Sequence, residues 1–321
     1  MARVGLVAMC MLTLACREGA GSDDDGVETD RPSPYAEDDG DTGVEVPAMQ
    51  PDEMVASSVA GVRLFLALRP DAVIDTWESM LVFDDACPEE QLVSMEAEST
   101  VISWATEGCT TAAGLEIRGA GHLERFTTVE GERSSEGAVL YAEAGTMRLS
   151  AADGRFLETN GHLYLERGTS PDGTDSYFEV GGDHSADDAT AATSPLLDPA
   201  VRVQGFLFGY DGGGYQALGG AGTVSGPALG SALAFQFSDM LVVPQACATE
   251  PVATFSIRDG EGFWHDIVFD AATLVDGEDP QFDPALCDGC GTYLAAGTVL
   301  GDACISASQV ASLMEWEGAP W

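Results

Sequence analysis

The sequence predicts an all-β protein of antiparallel sheets, arranged as a sandwich or barrel, in two related halves with one short C-terminal helix. Three observations lead to this class. Apolar residues alternate with polar ones along many short segments, glycine-rich turn sequences separate those segments, and one stretch of the chain echoes another. Alternation at period two is typical of strands with one buried face, and frequent turns between short strands favour antiparallel pairing.

The first element is an export signal. The chain opens with a basic residue, Arg3, and an apolar run that ends at Cys16. The run is shorter than the roughly 20 residues that cross a bilayer, and the four residues before the cysteine, LTLA, resemble the bacterial lipobox. We therefore expect residues 1–15 to be a lipoprotein signal peptide and Cys16 to be lipidated. In a Gram-negative cell, Arg17 after the cysteine favours anchoring in the outer membrane. An ordinary cleaved signal or a short membrane anchor is the alternative.

Residues 16–55 are predicted to be the lipidated cysteine and a disordered acidic spacer. The segment is rich in Asp, Glu, Gly and Pro and lacks apolar periodicity, so it cannot bury enough surface to fold. Its acidic runs, 22–26 and 37–41, could bind calcium. Neither run has the alternating ligands of a calcium loop, which favours diffuse cation association instead.

The charge of the chain limits the classes of partner that it can bind. It contains 54 acidic and 13 basic residues, every basic residue is arginine, and the net charge is −41. Polyanions bind through basic patches, so this composition argues against nucleic acid and against anionic headgroups. We expect membrane association through the lipid anchor alone, with a protein or glycan partner left undefined.

The β region divides into residues 56–196 and residues 197–321. Turn signals separate its strands at 152–154, 159–161, 171–173, 211–214 and 259–260. The polar, Ala- and Thr-rich stretch from Asp183 to Asp198 is the predicted linker between the halves. The alternation that predicts the strands involves Val62, Leu64, Leu66 and Leu68; Leu115 and Ile117; Met147 and Leu149; Leu163 and Leu165; Phe235 and Phe237; Phe255 and Ile257; Ile267 and Phe269.

The two halves are inferred from an internal echo. Residues 79–90 align without gaps on 239–250, with Met, Leu, Val, Ala, Cys and Glu recurring in register. The surroundings of Cys109 are likewise repeated around Cys290. Chance similarity between two amphipathic strands is the alternative. Near the end of the chain, Ser306 and Gln309 form a predicted capping box, and Val310, Leu313 and Trp316 follow at helical spacing.

Six cysteines follow Cys16, and an even number in an exported chain favours disulfides. The echo predicts three pairs: Cys87 with Cys109, Cys247 with Cys290, and Cys287 with Cys304. The alternative is a zinc site, because Cys287 and Cys290 have the spacing of a zinc knuckle and Cys247 and Cys304 could complete it. Thiolates in an oxidising compartment are lost to disulfides, so we predict no metal and no cofactor.

Other candidate residues give weak signals for chemistry. His122 and His162 lie in similar segments, GHLER and GHLYLER, for which a solvated hairpin edge is the preferred interpretation. The alternative is a cation held by His and Glu on one face of a strand. His184 is predicted to be solvated in the linker, and His265 to alternate along a hairpin strand. Core and terminal packing is the preferred role of the tryptophans, and stacking on sugars is the alternative, for Trp77, Trp104, Trp264, Trp316 and Trp321.

No catalytic motif is present. The sequence lacks a nucleophile elbow, a zinc-protease helix and a phosphate loop, and acidic pairs are too common to identify a glycosidase dyad. We therefore predict a protein that is not an enzyme and has no catalytic residue.

The C-terminal residues 287–321, together with the segment 255–270, resemble the end of uncharacterised bacterial lipoproteins that combine a lipobox, an acidic spacer and a cysteine-bearing β domain. The resemblance implies a location and an architecture, and no activity. The expected function is a structural or recognition role at the cell envelope or surface. The alternatives are a secreted-type hydrolase and a carbohydrate-binding module that act on extracellular polymers. A deep pocket of His and acidic residues would favour the hydrolase, and a flat aromatic strip would favour the sugar binder.

Overall fold

The computed structural model of the chain describes residues 49–68, 70–82, 87–88, 90–96, 98–112, 114–152, 156–186, 201–273 and 280–315. The signal segment, Cys16 and the spacer as far as residue 48 lie outside these ranges. So do residues 187–200 of the predicted linker, Trp316 and Trp321.

Two helices open the described chain, where the sequence predicted spacer and strand. Helix α1 spans Pro51–Leu66 and α2 spans Pro70–Val82, each with proline at its first position, where no intrahelical N–H is needed. The predicted strand Val62–Leu68 is therefore wrong, and so is the assignment of 51–55 to the spacer. The reason is period: the short apolar run also fits helical spacing, and the buried face of α1 is formed by Met54, Val55, Ser58, Val59, Gly61, Val62 and Phe65.

The rest of the described chain is mainly strand. The strands are β1 Glu90–Met95, β2 Ser99–Thr110, β3 Glu116–Glu130, β4 Arg133–Ala142, β5 Met147–Ser150, β6 Phe156–Ser170, β7 Gly173–Ala186, β8 Val201–Gly212, β9 Tyr215–Ser225, β10 Ala234–Val242, β11 Val252–Arg258, β12 Trp264–Asp270, β13 Ala272–Thr273, β14 Gln281–Phe282, β15 Cys290–Ala295 and β16 Thr298–Cys304. A 3₁₀ turn, Pro227–Leu229, separates β9 from β10.

Among the described strands, fourteen form one antiparallel sheet in the order β1-β2-β3-β4-β6-β7-β8-β9-β10-β11-β12-β15-β16. Strand β5 pairs with β3 and β6 beyond the end of β4, and β13 with β14 forms a separate two-stranded sheet. The predicted antiparallel β class is thus confirmed, as is strand structure around every alternating pair from Ile117 to Phe269. The turn predicted at 159–161 is wrong, because these residues continue β6.

The sheet runs without a break from the first half of the chain into the second. Strands β7 and β8 pair along their length, from Asp175 opposite Gly212 to Ala186 opposite Val201. The described start of the predicted linker, residues 183–186, is therefore strand. The echo also fails as a structural repeat, because residues 80–82 end helix α2 whereas residues 240–242 belong to β10. The two similar segments therefore have different conformations.

Both long helices lie on the same side of the sheet. One row of neighbouring strand residues crosses the sheet and is buried throughout: Met147, Thr159, His184, Val203, Val224, Phe235, Ile257, His265 and Ala295. On this side Phe65 of α1 contacts Phe237 edge to face at 5.5 Å, and Trp77 of α2 stacks on Trp104 at 5.6 Å. The helices and the sheet thus enclose one core, which stabilises the fold through apolar burial.

The predicted C-terminal helix is confirmed as α3, Ala307–Leu313. Its capping box is formed by Ser306 and Gln309, whose side chains each bond the other residue's backbone N–H, and Val310 and Leu313 are buried. None of the helices in the described ranges is both long and apolar enough to cross a membrane.

Candidate functional site: the open side of the sheet

Aromatic side chains gather on the side of the sheet that faces away from the helices. They lie in three adjacent rows of cross-strand neighbours between β3 and β8. We call this group the open-side strip, and it consists of His122, Tyr141, His162 and Phe206 in the first row, Tyr164 and Phe208 in the second, and Phe126, Tyr177 and Tyr210 in the third. Each of these side chains is half-buried.

The rings of the strip contact one another. His122 stacks on Tyr141 with centroids 4.7 Å apart, and Tyr164 lies 6.0 Å from Phe126 and 5.9 Å from Tyr177. Aromatic pairs at such distances add about 0.5–1.5 kcal/mol beyond area burial. Contacts between these rings therefore stabilise the strip.

Glycines on neighbouring strands let the rings lie against the sheet. A Cβ atom at Gly137 would come within 2.4 Å of the Phe126 ring, and one at Gly181 within 2.3 Å of the His162 ring. Any other residue at these positions would force the rings to tilt away from the backbone. Rings that cover glycines in this way leave their outer faces available for stacking.

Carboxylates fix the polar atoms of the strip. Glu179 accepts hydrogen bonds from His162 Nε2 at 2.5 Å and from the Tyr177 hydroxyl at 2.6 Å. Burial raises the pKa of Glu179, but these two hydrogen bonds outweigh burial and its pKa is lowered overall. The Tyr164 hydroxyl donates to Glu166 at 2.6 Å, and burial with the nearby carboxylates raises the pKa of Tyr164 and of Tyr177. At neutral pH both tyrosines therefore keep their protons.

The charge around the strip is mainly negative. Arg133 Nη2 contacts Glu166 Oε1 at 3.3 Å and Asp175 Oδ2 at 2.9 Å, while Glu179 and Glu124 add further carboxylates. The side chains of these ion pairs are about one sixth to two fifths exposed, so solvent screens them and their individual stabilisation is small. A ligand on this surface meets aromatic faces and carboxylate acceptors, which suits uncharged or cationic groups and opposes anionic ones.

The structure places His122, His162 and His184 within the sheet. His122 and His162 belong to the interior of the sheet, so the hairpin-edge interpretation is wrong, and Glu124 lies 3.9 Å from His122 Nε2. Within the described residues no cluster of three or more His, Cys, Asp or Glu side chains could hold a metal ion. The prediction for His184 is wrong, because it is buried beneath the helices and bonds the Gly181 carbonyl at 3.0 Å.

His265 lies on β12, as predicted, and is fully buried. Its Nδ1 is 3.0 Å from the Tyr293 hydroxyl and its Nε2 is 3.0 Å from Asp259 Oδ2. The Tyr293 hydroxyl also donates to the carbonyl of Met49, just before helix α1. This network joins the first described residues to the sheet, and its burial gives it a structural role.

All six candidate cysteines form disulfides, so the zinc interpretation is wrong. The predicted bond Cys87–Cys109 is confirmed, whereas the other pairs are Cys247–Cys287 and Cys290–Cys304. The predicted Cys247–Cys290 and Cys287–Cys304 bonds fail because β15 and β16 pair with Cys290 directly opposite Cys304. Disulfides persist in oxidising compartments, so the three bonds are consistent with an exported protein.

A groove of about 450 Å³ opens on the helix side of the sheet, beyond the start of α2. Arg125 lies in it and bonds Glu78 at 2.7 Å as well as Asp75. Burial lowers the pKa of Arg125, but the two carboxylates outweigh it and the net shift is upward. The groove is lined mostly by polar side chains, with Asp71, Glu96, Glu98, Glu136 and Arg167 around Arg125.

The tryptophans are not part of the strip. Trp77 and Trp104 are buried in the core, as preferred from the sequence, and Trp264 is half-buried on β12. The Tyr and Phe residues of the strip were not predicted from the sequence. The signal that could have found them is the alternation of His162, Tyr164 and Glu166 opposite the buried Leu163 and Leu165.

Comparison with known proteins gives no further guide. The chain matches no protein-family model, and neither the curated proteins nor the solved structures contain a significant match.

Proposed function

We propose that this protein is an exported, lipid-anchored lipoprotein of the cell envelope with a non-catalytic recognition role. We further propose that the open-side strip binds glycans of extracellular polymers. The observation that supports this is the set of three adjacent rows of aromatic rings, whose polar atoms are held by carboxylates.

The chemistry of the strip indicates which glycans fit. Sugar rings present C–H faces that pack on aromatic rings, and their hydroxyl groups donate hydrogen bonds to carboxylates such as Glu166 and Glu179. Because the surroundings are negatively charged, the ligand class is neutral or amino-bearing polysaccharide. Sulfated, phosphorylated or uronic polymers would be repelled.

Binding is tested with the purified full-length protein on insoluble cellulose and chitin, followed by calorimetry with soluble fragments of any polymer that retains it. We expect retention by at least one of these polymers. The double variant Tyr164→Ala/Tyr177→Ala should bind at least tenfold more weakly, a loss of about 1.4 kcal/mol. Phe263→Ala removes a half-buried ring outside the strip and should bind like the wild type.

The fold of each variant is checked by circular dichroism and thermal melting. If the alanine variant unfolds, Gly181→Leu serves instead, because its side chain would displace the His162 ring from the strip. Equal binding by wild type and strip variants, or no retention on any of the polymers, would refute the glycan role. Release of soluble sugar during the incubation would instead favour the hydrolase alternative.

The anchor is tested separately. Cys16→Ser should move the protein from the membrane fraction to the soluble fraction of a cell envelope preparation, because the thiol that would carry the lipid is gone. Cys10→Ser, a change in the same apolar run, is the matched control and should leave it in the membrane fraction. If Cys16→Ser stays anchored in the membrane, the proposed lipidation is wrong, whatever the glycan result.

A further inference from the structure

Strand β1 has one free edge. It pairs with β2 on one side only, and within the described ranges no other strand lies against its second edge. An edge of this kind presents N–H and C=O groups that a further strand can pair with.

The register of β1 identifies these groups. The backbone N–H of Glu96 donates to the carbonyl of Ser99 at 2.8 Å, next to the pair Met95 and Thr100. Successive residues of an antiparallel strand direct their backbone groups to alternate sides, so Ser94 and Leu92 face β2 like Glu96. The N–H and C=O groups of Gln91, Val93 and Met95 therefore point to the free edge.

Three of the six side chains of β1 are apolar and exposed. Leu92 is 76%, Val93 54% and Met95 79% exposed. Between Gln91 and Met95 the strand has no charged residue and no proline, and its register with β2 has no shift. Soluble proteins blunt their edges with charges, prolines or bulges. The edge strand at the opposite end, β16, has both a register shift and Asp302, so β1 is the unprotected edge of the two.

The ends of β1 are acidic. Glu90 begins the strand, and Glu96 and Glu98 follow it. Glu96 and Glu98 also line the groove, together with Asp71 and Asp75 of α2. A strand added to β1 would therefore have its apolar centre beside Leu92 and Val93 and its ends beside carboxylates.

A second copy of the chain fits this edge poorly. Antiparallel pairing of two β1 strands centred on Val93 places Glu90 of each copy opposite Glu96 of the other. Like charges directly opposite destabilise a strand pair, and the net charge of −41 adds long-range repulsion. The sequence contains no lysine and its arginines are few, so the complementary charge must come from another protein.

We propose that β1 binds an extended segment of another protein by β-strand addition, and that this segment has alternating apolar residues at its centre and Lys or Arg at its ends. Main-chain hydrogen bonds from Gln91, Val93 and Met95 hold the segment, and the flanking glutamates select its charge.

The test uses the full-length protein and a fluorescein-labelled synthetic octapeptide of alternating valine and threonine with arginine at both ends, followed by fluorescence anisotropy. An otherwise identical peptide with glutamate at both ends is the control. We expect the arginine-ended peptide to bind at least tenfold more tightly. The difference should shrink at high salt, because the flanking carboxylates are exposed.

Val93→Pro removes an outward N–H while leaving the β1–β2 hydrogen bonds in place, since proline is tolerated on edge strands. It should weaken peptide binding at least tenfold. Val299→Pro, the same change at an exposed valine of β16, should not. The double variant Glu96→Arg/Glu98→Arg leaves the backbone untouched and should reverse the peptide preference, which keeps the proposal testable if a proline variant fails to fold.

Three results would overturn the proposal: no binding of the arginine-ended peptide, equal binding of both peptides, or unchanged binding by Val93→Pro. Light scattering after size exclusion, without peptide, tests whether a second copy of the chain occupies the β1 edge instead. A dimer that Val93→Pro dissociates would show that a second copy occupies the edge, which would also refute the inference.

Discussion

The buried histidine His184 gives the most quantitative prediction. It lies in β7 under the helices with 1% of its surface exposed, and its Nε2 donates to the Gly181 carbonyl at 3.0 Å. Burial lowers the pKa of His184 from 6.5 to about 4, because the charged ring would lose its hydration. The unfolded chain therefore binds a proton below pH 6.5 that the folded chain binds only near pH 4.

The sign and size of the effect follow from this difference. Stability from the neutral ring is fully present above pH 6.5 and is lost as the pH falls from 6.5 to 4. At 1.36 kcal/mol for each unit between the two pKa values, the full loss is about 3 kcal/mol, and about 2 kcal/mol of it has occurred by pH 5. His184→Gln keeps an N–H donor for the Gly181 carbonyl but does not titrate.

The assay is urea unfolding of wild type and His184→Gln at pH 7.5 and pH 5. Between the two conditions we expect the wild type to lose about 2 kcal/mol more free energy of unfolding than the variant. The control is Thr159→Val, which removes the neighbouring buried hydroxyl and should keep the wild-type pH dependence. Identical pH dependence in wild type and His184→Gln would refute the argument.

Three further predictions concern stability. Replacing Cys87 and Cys109 by alanine should lower the free energy of unfolding by about 3 kcal/mol, because the bond closes a loop of 22 residues, and unreduced peptide mapping should recover this pair. Glu250 is buried, and burial raises its pKa, so its ionisation weakens the fold as the pH rises; Glu250→Gln should be more stable than wild type at pH 8 and should lose this advantage below pH 4, as measured by thermal melting. Gly61→Ala should destabilise by about 1–3 kcal/mol in urea although alanine favours helix, because its Cβ would lie 2.3 Å from the Phe235 ring; a more stable variant would show that the ring moves freely.

Local signals predicted part of this protein well. The alternation at 163–165, 235–237 and 267–269 identified strands because one-sided burial imposes period two on any half-buried strand. The capping box at Ser306 identified the start of α3 because its partner is only three residues away. The same kind of signal failed at 62–68, because Phe65 lies within the alternating run and is buried three residues after Val62, at helical spacing.

The candidate site could not be predicted from local sequence patterns. Tyr164, Tyr177 and Phe126 come from three strands, and their proximity depends on the register of β3, β4, β6 and β7. A shift of one residue in any of these pairings would move a ring to the helix side. The sequence shows polar–aromatic alternation in each strand, but it does not show that the rows coincide.

By itself the sequence determined the antiparallel β class, the six half-cystines, the Cys87–Cys109 bond and the C-terminal helix, because each depends on composition, local periodicity or few alternatives. Only the tertiary structure decided that one sheet runs through both halves, that Cys290 pairs with Cys304, and that His184 is buried. These features depend on which distant strands become neighbours and in what register. That choice is made by packing the sheet against α1 and α2, whose contacts join residues far apart in the chain.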